Sequence, residues 1–492
     1  MTDGFASNTG AIAVGQAAVK LSQVVLAMVL VRLLDPAQWN QAAFVLSVYL
    51  AATTLGTLGI HHALLYQLPR VEAGQQRDLL RRAVWVLLAV GATGVLAFTA
   101  AGPSLGGHQL AGAGRWALLG LAVAVELPSA CFSTALIATR RFVAAGTWDL
   151  CGTLVTVGAV VAPVSAGRGV VGLIGGLVAA GAVRLSVGGR CVISAMPRPL
   201  GRVRLGVAAE LVRHGVPLGL LVSVSILNRI VDKWLIAAFR PSDFGLYSVA
   251  AQEVPLLVVL PYAGGAALAS SLVCAFRDGD VAAARTHWLH LTSRMSRIVV
   301  PLGIGLALVG APLMNLLFTS RFERAVLPFQ VFTLIGIHRV AEYGMMLRAA
   351  GRNRALVEVA ITTLVANAVL AGAGAYLGGM TGAAIGTALA TFVGWWLALR
   401  HIADSLGVTI AGAFAWKTWS ATVAVATMAA ITTRLATAPL TANPLIVIAV
   451  RAVMFTAVYT VAWSWWRRWR HSSDPQARWI PERSPVLETV TS

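Results

Sequence analysis

The chain has 492 residues, 58% of them hydrophobic and only 12% charged, with a net charge of +19 and a mean hydropathy of +0.77. Soluble domains carry about 25% charged residues, so this composition excludes a soluble globular protein and points to an all-α chain that crosses a membrane many times. The surplus of arginine would suit nucleic acid, but the arginines fall in alternate loops, the pattern of a topology signal, and no nucleic-acid partner is expected. Cys131, Cys151, Cys191 and Cys274 lie in or beside apolar runs without ligand spacing and read as small hydrophobes. The N-terminus lacks a basic n-region, and its first apolar run is too long for the core of a signal peptide, so it is expected to be retained.

A window of about 19 residues gives about fourteen spans, each close to the ~20 residues that a ~30 Å hydrocarbon core requires. They fall near 10–33, 40–60, 83–102, 116–138, 142–165, 169–191, 215–239, 245–271, 298–318, 327–349, 355–377, 380–400, 414–435 and 444–466. With the N-terminus inside, the outer loops hold only Arg32, Arg115, Arg168, Arg240, Arg321, Arg324 and Arg434, and most other basic residues fall in the inner loops. The positive-inside rule then places both termini in the cytoplasm, with the basic loops resting on anionic headgroups. Trp463, Trp465, Trp466 and Trp469 mark the inner interface of the last span. The tail that follows carries Pro475, Pro481 and Pro485 and is expected to be disordered. Between the two halves, Pro199 to Arg213 alternates apolar and basic residues, as an amphipathic linker on the inner face does.

Two landmarks repeat. Arg32-Leu-Leu-Asp-Pro36 with Trp39 reappears as Phe239-Arg-Pro241 with Phe244, at an offset of 205 residues. The row Gly172, Gly176, Ala180 reappears as Gly382, Gly386, Ala390, at an offset of 210. Small-xxx-small rows let helix backbones approach closely. The repetition predicts two parallel six-helix repeats plus two C-terminal helices. The expected units are an N-terminal half at 1–195, the linker at 196–214, a C-terminal half at 215–402, an extra pair at 403–470 and the tail at 471–492. Transporters commonly place substrate at such a repeat interface.

These same residues carry a resemblance. Arg32-Leu33-Leu34 with Pro36 and Trp39, Asn228-Arg229-Ile230 with Asp232 and Leu235, the run from Pro241 through Phe244-Gly-Leu-Tyr-Ser-Val-Ala250, and Gly382 with Gly386, Ala388 and Ala390 resemble the Wzx-type polysaccharide flippases. That family lies in the MOP superfamily, with the peptidoglycan-precursor flippase MurJ and the MATE exporters as relatives. The likeness runs from about residue 5 to 400 and departs at Asn40, where the family has Gly, and at an extra Lys233. It implies translocation of an undecaprenyl-diphosphate-linked oligosaccharide from the inner to the outer leaflet by alternating access, for O-antigen, capsule or exopolysaccharide biosynthesis. It also implies a bacterial inner-membrane location, with membrane lipids, a polysaccharide polymerase and chain-length proteins as partners.

The charged residues expected at membrane depth are Lys20, Arg184, Arg229, Lys233, Arg339 and Arg451 against Glu126, Asp149, Asp232, Glu253 and Glu342. Each costs about 2.5–3.5 kcal/mol on insertion scales, so each faces protein or a water-filled cavity. Guanidinium grips phosphate oxygens bidentately and lysine acts as a point charge. Lys20, Arg32, Arg229, Lys233 and Arg339 are therefore the candidates for binding diphosphate or glycan. Glu126, Asp232, Glu253 and Glu342 are candidates for charge pairing or ion coupling. In this reading Asp232 neutralises Arg229, and Arg339 pairs with Glu342 at i, i+3. Glu126 and Glu253 precede proline kinks and bond the freed backbone, or bind a coupling ion. Asp149, Arg184 and Arg451 anchor at an interface. Arg32 either holds phosphate or caps a helix.

No Walker A, dinucleotide or HExxH pattern occurs, so no catalytic residue, metal or cofactor is expected. His61 and His62 are adjacent and diverge on a helix. A polymerase or ligase would need a large outward loop with catalytic Arg or His, and the outer loops are short. The alternative within transport is a MATE-like ion-coupled drug or cation exporter, which twelve spans around an acidic pocket would favour.

Overall fold

The computed structural model describes residues 19, 21–106, 109–196, 207–440 and 442–473. Among these there is no strand. Among the described residues seven helices are long and apolar enough to cross a membrane, or eight if Pro36–Gly56 and Ile60–Arg70, bent by 41°, count as one span. The chain is thus a multi-pass, all-helical membrane protein.

In chain order, α1 is Leu21–Leu33. There follow α2 (Pro36–Gly56), α3 (Ile60–Gln67), α4 (Ala73–Gly106), α5 (Ala113–Glu126), α6 (Ser129–Ala138), α7 (Phe142–Pro163), α8 (Gly169–Gly188) and α9 (Val207–Phe239). The second part holds α10 (Phe244–Ala250), α11 (Pro255–Arg277), α12 (Val281–Leu308), α13 (Gly310–Phe318), α14 (Val326–Ile335), α15 (Tyr343–Ala349), α16 (Asn353–Leu406), α17 (Trp416–Ala436) and α18 (Pro444–Ser473). The expected linker end at 214 falls inside α9, which begins at Val207. Residues 197–206 of that linker, and the tail beyond 473, lie outside the described residues.

Local chemistry sets the ends of these helices. The Asp35 side chain accepts the Gln38 amide at 2.8 Å and Pro36 opens α2, a position where a missing N–H costs nothing. Asp280 caps α12 in the same way, at 2.8 Å from the Ala283 amide. Several expected spans are broken in mid-course. Gly59 takes φ 68 between α2 and α3, Pro128 starts α6 after α5, Pro255 sits in the first turn of α11, and a 3-10 turn at Gly336–His338 separates α14 from α15. Irregular backbone at membrane depth is tolerated only where protein buries it or water reaches it, so these breaks point inward.

Two long runs double back. A straight helix of the 54 residues of α16 would be roughly 80 Å long, against a ~30 Å core. At Gly379 (φ 59, ψ −140) the chain reverses, and a Cβ at Gly382 or Gly386 would overlap the carbonyl of Gly374 or Leu370. Gly169 (φ 53, ψ −141) plays the same part between α7 and α8, with Gly176 pressed against the Ala159 carbonyl. The two rows of small residues are therefore the inner faces of two tight helical hairpins.

The largest apolar core joins α1, α2, α5, α8, α9, α10, α13, α14 and α16 around Trp39, Phe44, Phe244, Tyr247 and Phe318. Separate cores lie within the first part, around Phe132, and within the second, around Trp288 and Trp395. The last two helices pack on α12 and α13. Indole N–H groups pin the connecting segment there: Trp288 donates to the Ala413 carbonyl at 2.8 Å and Trp419 to that of Ile337 at 3.2 Å.

Candidate functional site

Helix α9 positions the site. Near its start, Gly215 and Gly219 meet the left-handed Gly59, where a Cβ would overlap the Gly215 carbonyl. Just past its end, Pro241 and Gly245 meet Asn40. The Asn40 Oδ1 accepts the Gly245 amide at 2.6 Å, and its Nδ2 donates to the Pro241 carbonyl at 2.8 Å. Trp39 Nε1 donates to the Gly245 carbonyl at 3.0 Å, and Gln109 Nε2 reaches the Pro241 carbonyl at 3.0 Å. The two segments that resemble each other in sequence thus bind one another. Asn40 makes two of these bonds.

Between these two contacts along α9 stands Arg229. Its Nη1 lies 3.6 Å from Glu253 Oε2, and Arg339 Nη1 lies 3.2 Å from Glu253 Oε1. The three side chains retain 43%, 31% and 43% of their surface. Glu253 sits in the unwound stretch before Pro255, and Arg339 follows the 3-10 turn after α14. The two helix breaks therefore bring both charges to α9. Two guanidiniums share one carboxylate and leave a net positive charge with fork-shaped donors, a geometry suited to phosphate oxygens.

Other expectations need correction. Asp232 does not neutralise Arg229. It is 3% exposed and its Oδ2 accepts the Tyr247 hydroxyl at 2.8 Å. Lys233 follows it, half-buried. Arg339 does not pair with Glu342, because the break before α15 removes the helical spacing, and Glu342 takes Arg348 at 3.1 Å. Glu126 is held at 2.6 Å by Arg184 rather than by freed backbone, and the two side chains are 15% and 19% exposed. Tyr49 and Asp149 lie beside this pair, with Asp149 accepting the Ser133 hydroxyl at 3.1 Å, so neither Arg184 nor Asp149 is a free interface anchor. Arg32 caps a helix: it donates to the Leu317 and Leu316 carbonyls that end α13, at 2.7 and 2.8 Å, and to Met28 at 3.0 Å. Lys20 lies outside the described residues.

Sequence reasoning missed the uncharged partners. Asn367 on α16 is 1% exposed, and its Nδ2 donates to the Asn228 carbonyl and Oδ1 at 2.9 and 3.1 Å. Thr387 lies beside Tyr247, which bonds Asp232. An asparagine inside an otherwise apolar span was the available signal, and a list restricted to charged residues passes over it.

A family model described as "Polysaccharide biosynthesis protein" matches residues 29–327. No curated protein sequence matches. Among solved structures, the fold is similar to the lipid II flippase MurJ in an inward closed conformation, with TM-score 0.74 and 11% identity, covering 93% of this chain and 98% of that one. It is also similar to an inward-facing multidrug resistance MATE family transporter of the MOP superfamily, with TM-score 0.55 and 16% identity, covering 80% of this chain and 94% of that one. A MOP superfamily transporter from Pyrococcus furiosus gives TM-score 0.54 and 15% identity, covering 81% and 95%. At these identities the likeness concerns the fold. The family match extends over more than half of the sequence, so the chain belongs to the polysaccharide biosynthesis protein family and has the fold of the MOP superfamily.

Proposed function

We propose that this protein is a flippase that carries an undecaprenyl-diphosphate-linked oligosaccharide from the cytoplasmic to the outer leaflet of the bacterial inner membrane. The observation that carries the reading is the half-exposed Arg229–Glu253–Arg339 cluster, between two contacts that close α9 against α2 and α3. A diphosphate cannot cross the hydrocarbon bare, because unpaired buried charge is too costly. Arg229 and Arg339, with Lys20 and Lys233 as further candidates, hold the diphosphate while the polyprenyl tail stays in lipid. Asp232 is the ion-coupling candidate with the best support. It is buried, its Oδ1 has no hydrogen-bond partner, and the Asn367 Oδ1 is likewise buried and unpartnered on the facing helix.

The proposed architecture is fourteen spans: two parallel six-span halves, the pair α17 and α18, and both termini cytoplasmic. Its support is the shared conformation of Gly169 and Gly379, 210 residues apart, and the docking of Asn40 against Gly245, 205 residues apart. The alternative, MATE-like export, has weaker support, because the MATE structure leaves about a fifth of this chain unmatched and MurJ matches 93% of it.

The test is complementation of a conditional flippase-deficient strain. Lipid-linked oligosaccharide should accumulate on the inner face without the protein, clear with it, and persist with Arg229→Ala plus Arg339→Ala at normal expression. Drug resistance without clearance of any lipid-linked glycan would replace this reading with the exporter.

A further inference from the structure

We propose that α12, α17 and α18 form a site for the headgroup of an anionic phospholipid, at the end of the bundle where α12 and α17 begin and α18 finishes. None of the three helices contains an Asp or Glu. Ser293 on α12 donates to the Thr418 hydroxyl on α17 at 3.3 Å, and the next residue on α12 is Arg294 and the preceding one on α17 is Lys417. One turn further along α12, the Arg297 guanidinium lies 6.0 Å from the centroid of the Trp463 ring on α18, and the Tyr459 hydroxyl donates to the Arg297 carbonyl at 3.4 Å. Arg467 follows Trp463 by one turn of α18. Arg294, Arg297, Lys417 and Arg467 are all exposed.

The rings supply the other half of an amphiphile's site. Tyr459, Trp463 and Trp466 stack in succession along α18, at 6.2 and 4.8 Å between centroids. Earlier on α18 and between its rings lies apolar surface, with Val453 71% and Val461 68% exposed. Amphipathic rings settle at headgroup level, and clustered Lys and Arg next to a span attract anionic lipids. The arrangement is therefore cations at the surface, rings at the interface and an aliphatic flank beneath. No carboxylate on these helices opposes the charge, so the site favours a lipid with net negative charge over a zwitterionic one. This inference rests on the membrane-spanning fold and is independent of what the protein transports.

The test uses the purified full chain in detergent, titrated with phosphatidylglycerol and, separately, phosphatidylcholine, with bound lipid counted by native mass spectrometry. Each cation near an anionic surface contributes about fivefold in affinity, so R294Q/R297Q/K417Q should weaken phosphatidylglycerol binding about a hundredfold. R140Q/R141Q, which removes charge from another loop, should leave it unchanged. If the triple variant does not fold, Arg297→Gln and Lys417→Gln singly, each weaker by about fivefold, decide the matter. Equal binding of phosphatidylcholine, or equal loss in the R140Q/R141Q control, overturns the proposal.

Discussion

The two parts of the molecule each carry a glutamate just before a proline break, and they treat it differently. In the first part Glu126 precedes Pro128 and is matched one-to-one by Arg184 at 2.6 Å, with both side chains under a fifth exposed. In the second part Glu253 precedes Pro255, is shared by Arg229 and Arg339 at longer range, and all three remain about a third or more exposed. A closed pair leaves no net charge over, so its work is to hold α5 against α8. An open cluster with one excess positive charge keeps donors for something not yet bound. Charge balance and exposure, rather than the presence of a charge at membrane depth, separate the structural pair from the candidate site.

The largest expected effect breaks the closed pair. Removing one partner of a buried ion pair costs about 3–5 kcal/mol because the other is left uncompensated. Arg184→Ala should therefore lower the melting temperature of the purified protein sharply and reduce its yield. A variant as stable as the wild type would show that the Glu126 pair is not what holds α5 to α8. Glu126→Gln with Arg184→Met, which removes both charges, should recover most of the loss. Arg229→Ala, by contrast, should melt close to the wild type and yet lower clearance of lipid-linked oligosaccharide by about tenfold or more, the loss of about one charge-assisted contact. If Arg229→Ala unfolds the protein, the contrast between the two clusters fails.

Glu253→Gln sharpens the comparison at intermediate size. It leaves Arg229 and Arg339 without their shared carboxylate, so a soluble diphosphate probe should bind more tightly, by several-fold, while transport slows because the ligand leaves less readily. Both readouts are available from one preparation, by calorimetry and by a vesicle assay. Weaker binding in this variant would mean that Glu253 itself contacts the ligand, and the cluster would need a different reading.

The contrast also explains what could be read from the chain alone. The many-span class followed from composition. The glycine rows marked close helix approach, because it excludes a Cβ, but which helices they join was not legible. Arg229, Arg339 and Glu253 stand out in the sequence because charge at membrane depth is rare. Their pairing was not legible: i, i+3 spacing suggests Arg229 with Asp232 and Arg339 with Glu342, but Asp232 turns to Tyr247, and the break at 336–342 removes the spacing of the second pair. Partners across 86 residues, as for Arg339 and Glu253, depend on how broken helices turn, and periodicity carries no such information. Asn367 was missed because a neutral amide adds little to any hydropathy sum, although its near-complete burial forces it to find a partner.

The smallest effect concerns the contact between the two repeated segments, where Asn40 and Gly245 occupy matching places and differ in side chain. Asn40 Oδ1 and Nδ2 each make a bond across the contact, to the Gly245 amide and the Pro241 carbonyl, and a net intramolecular hydrogen bond contributes about 1 kcal/mol. Asn40→Gly deletes both without adding bulk, together with the Nδ2 bond to Gln109 Oε1 at 3.0 Å, while the Trp39 and Arg32 bonds and the Gln109 bond to Pro241 remain at the same end. The closed arrangement should then lose roughly 2 kcal/mol relative to an open one, a shift of about thirtyfold in the equilibrium. A cysteine placed at Ser47 on α2, whose hydroxyl accepts the Trp234 indole N–H of α9 at 3.1 Å, would report the opening as faster labelling by a membrane-impermeant reagent from the Arg32 side. Gly245→Ala acts from the opposite face, since its added Cβ would sit 2.9 Å from the Trp39 ring, and it should speed labelling in the same direction. Unchanged labelling in both variants would place the opening contact elsewhere, with Arg32 on the α13 carbonyls as the next bond to remove.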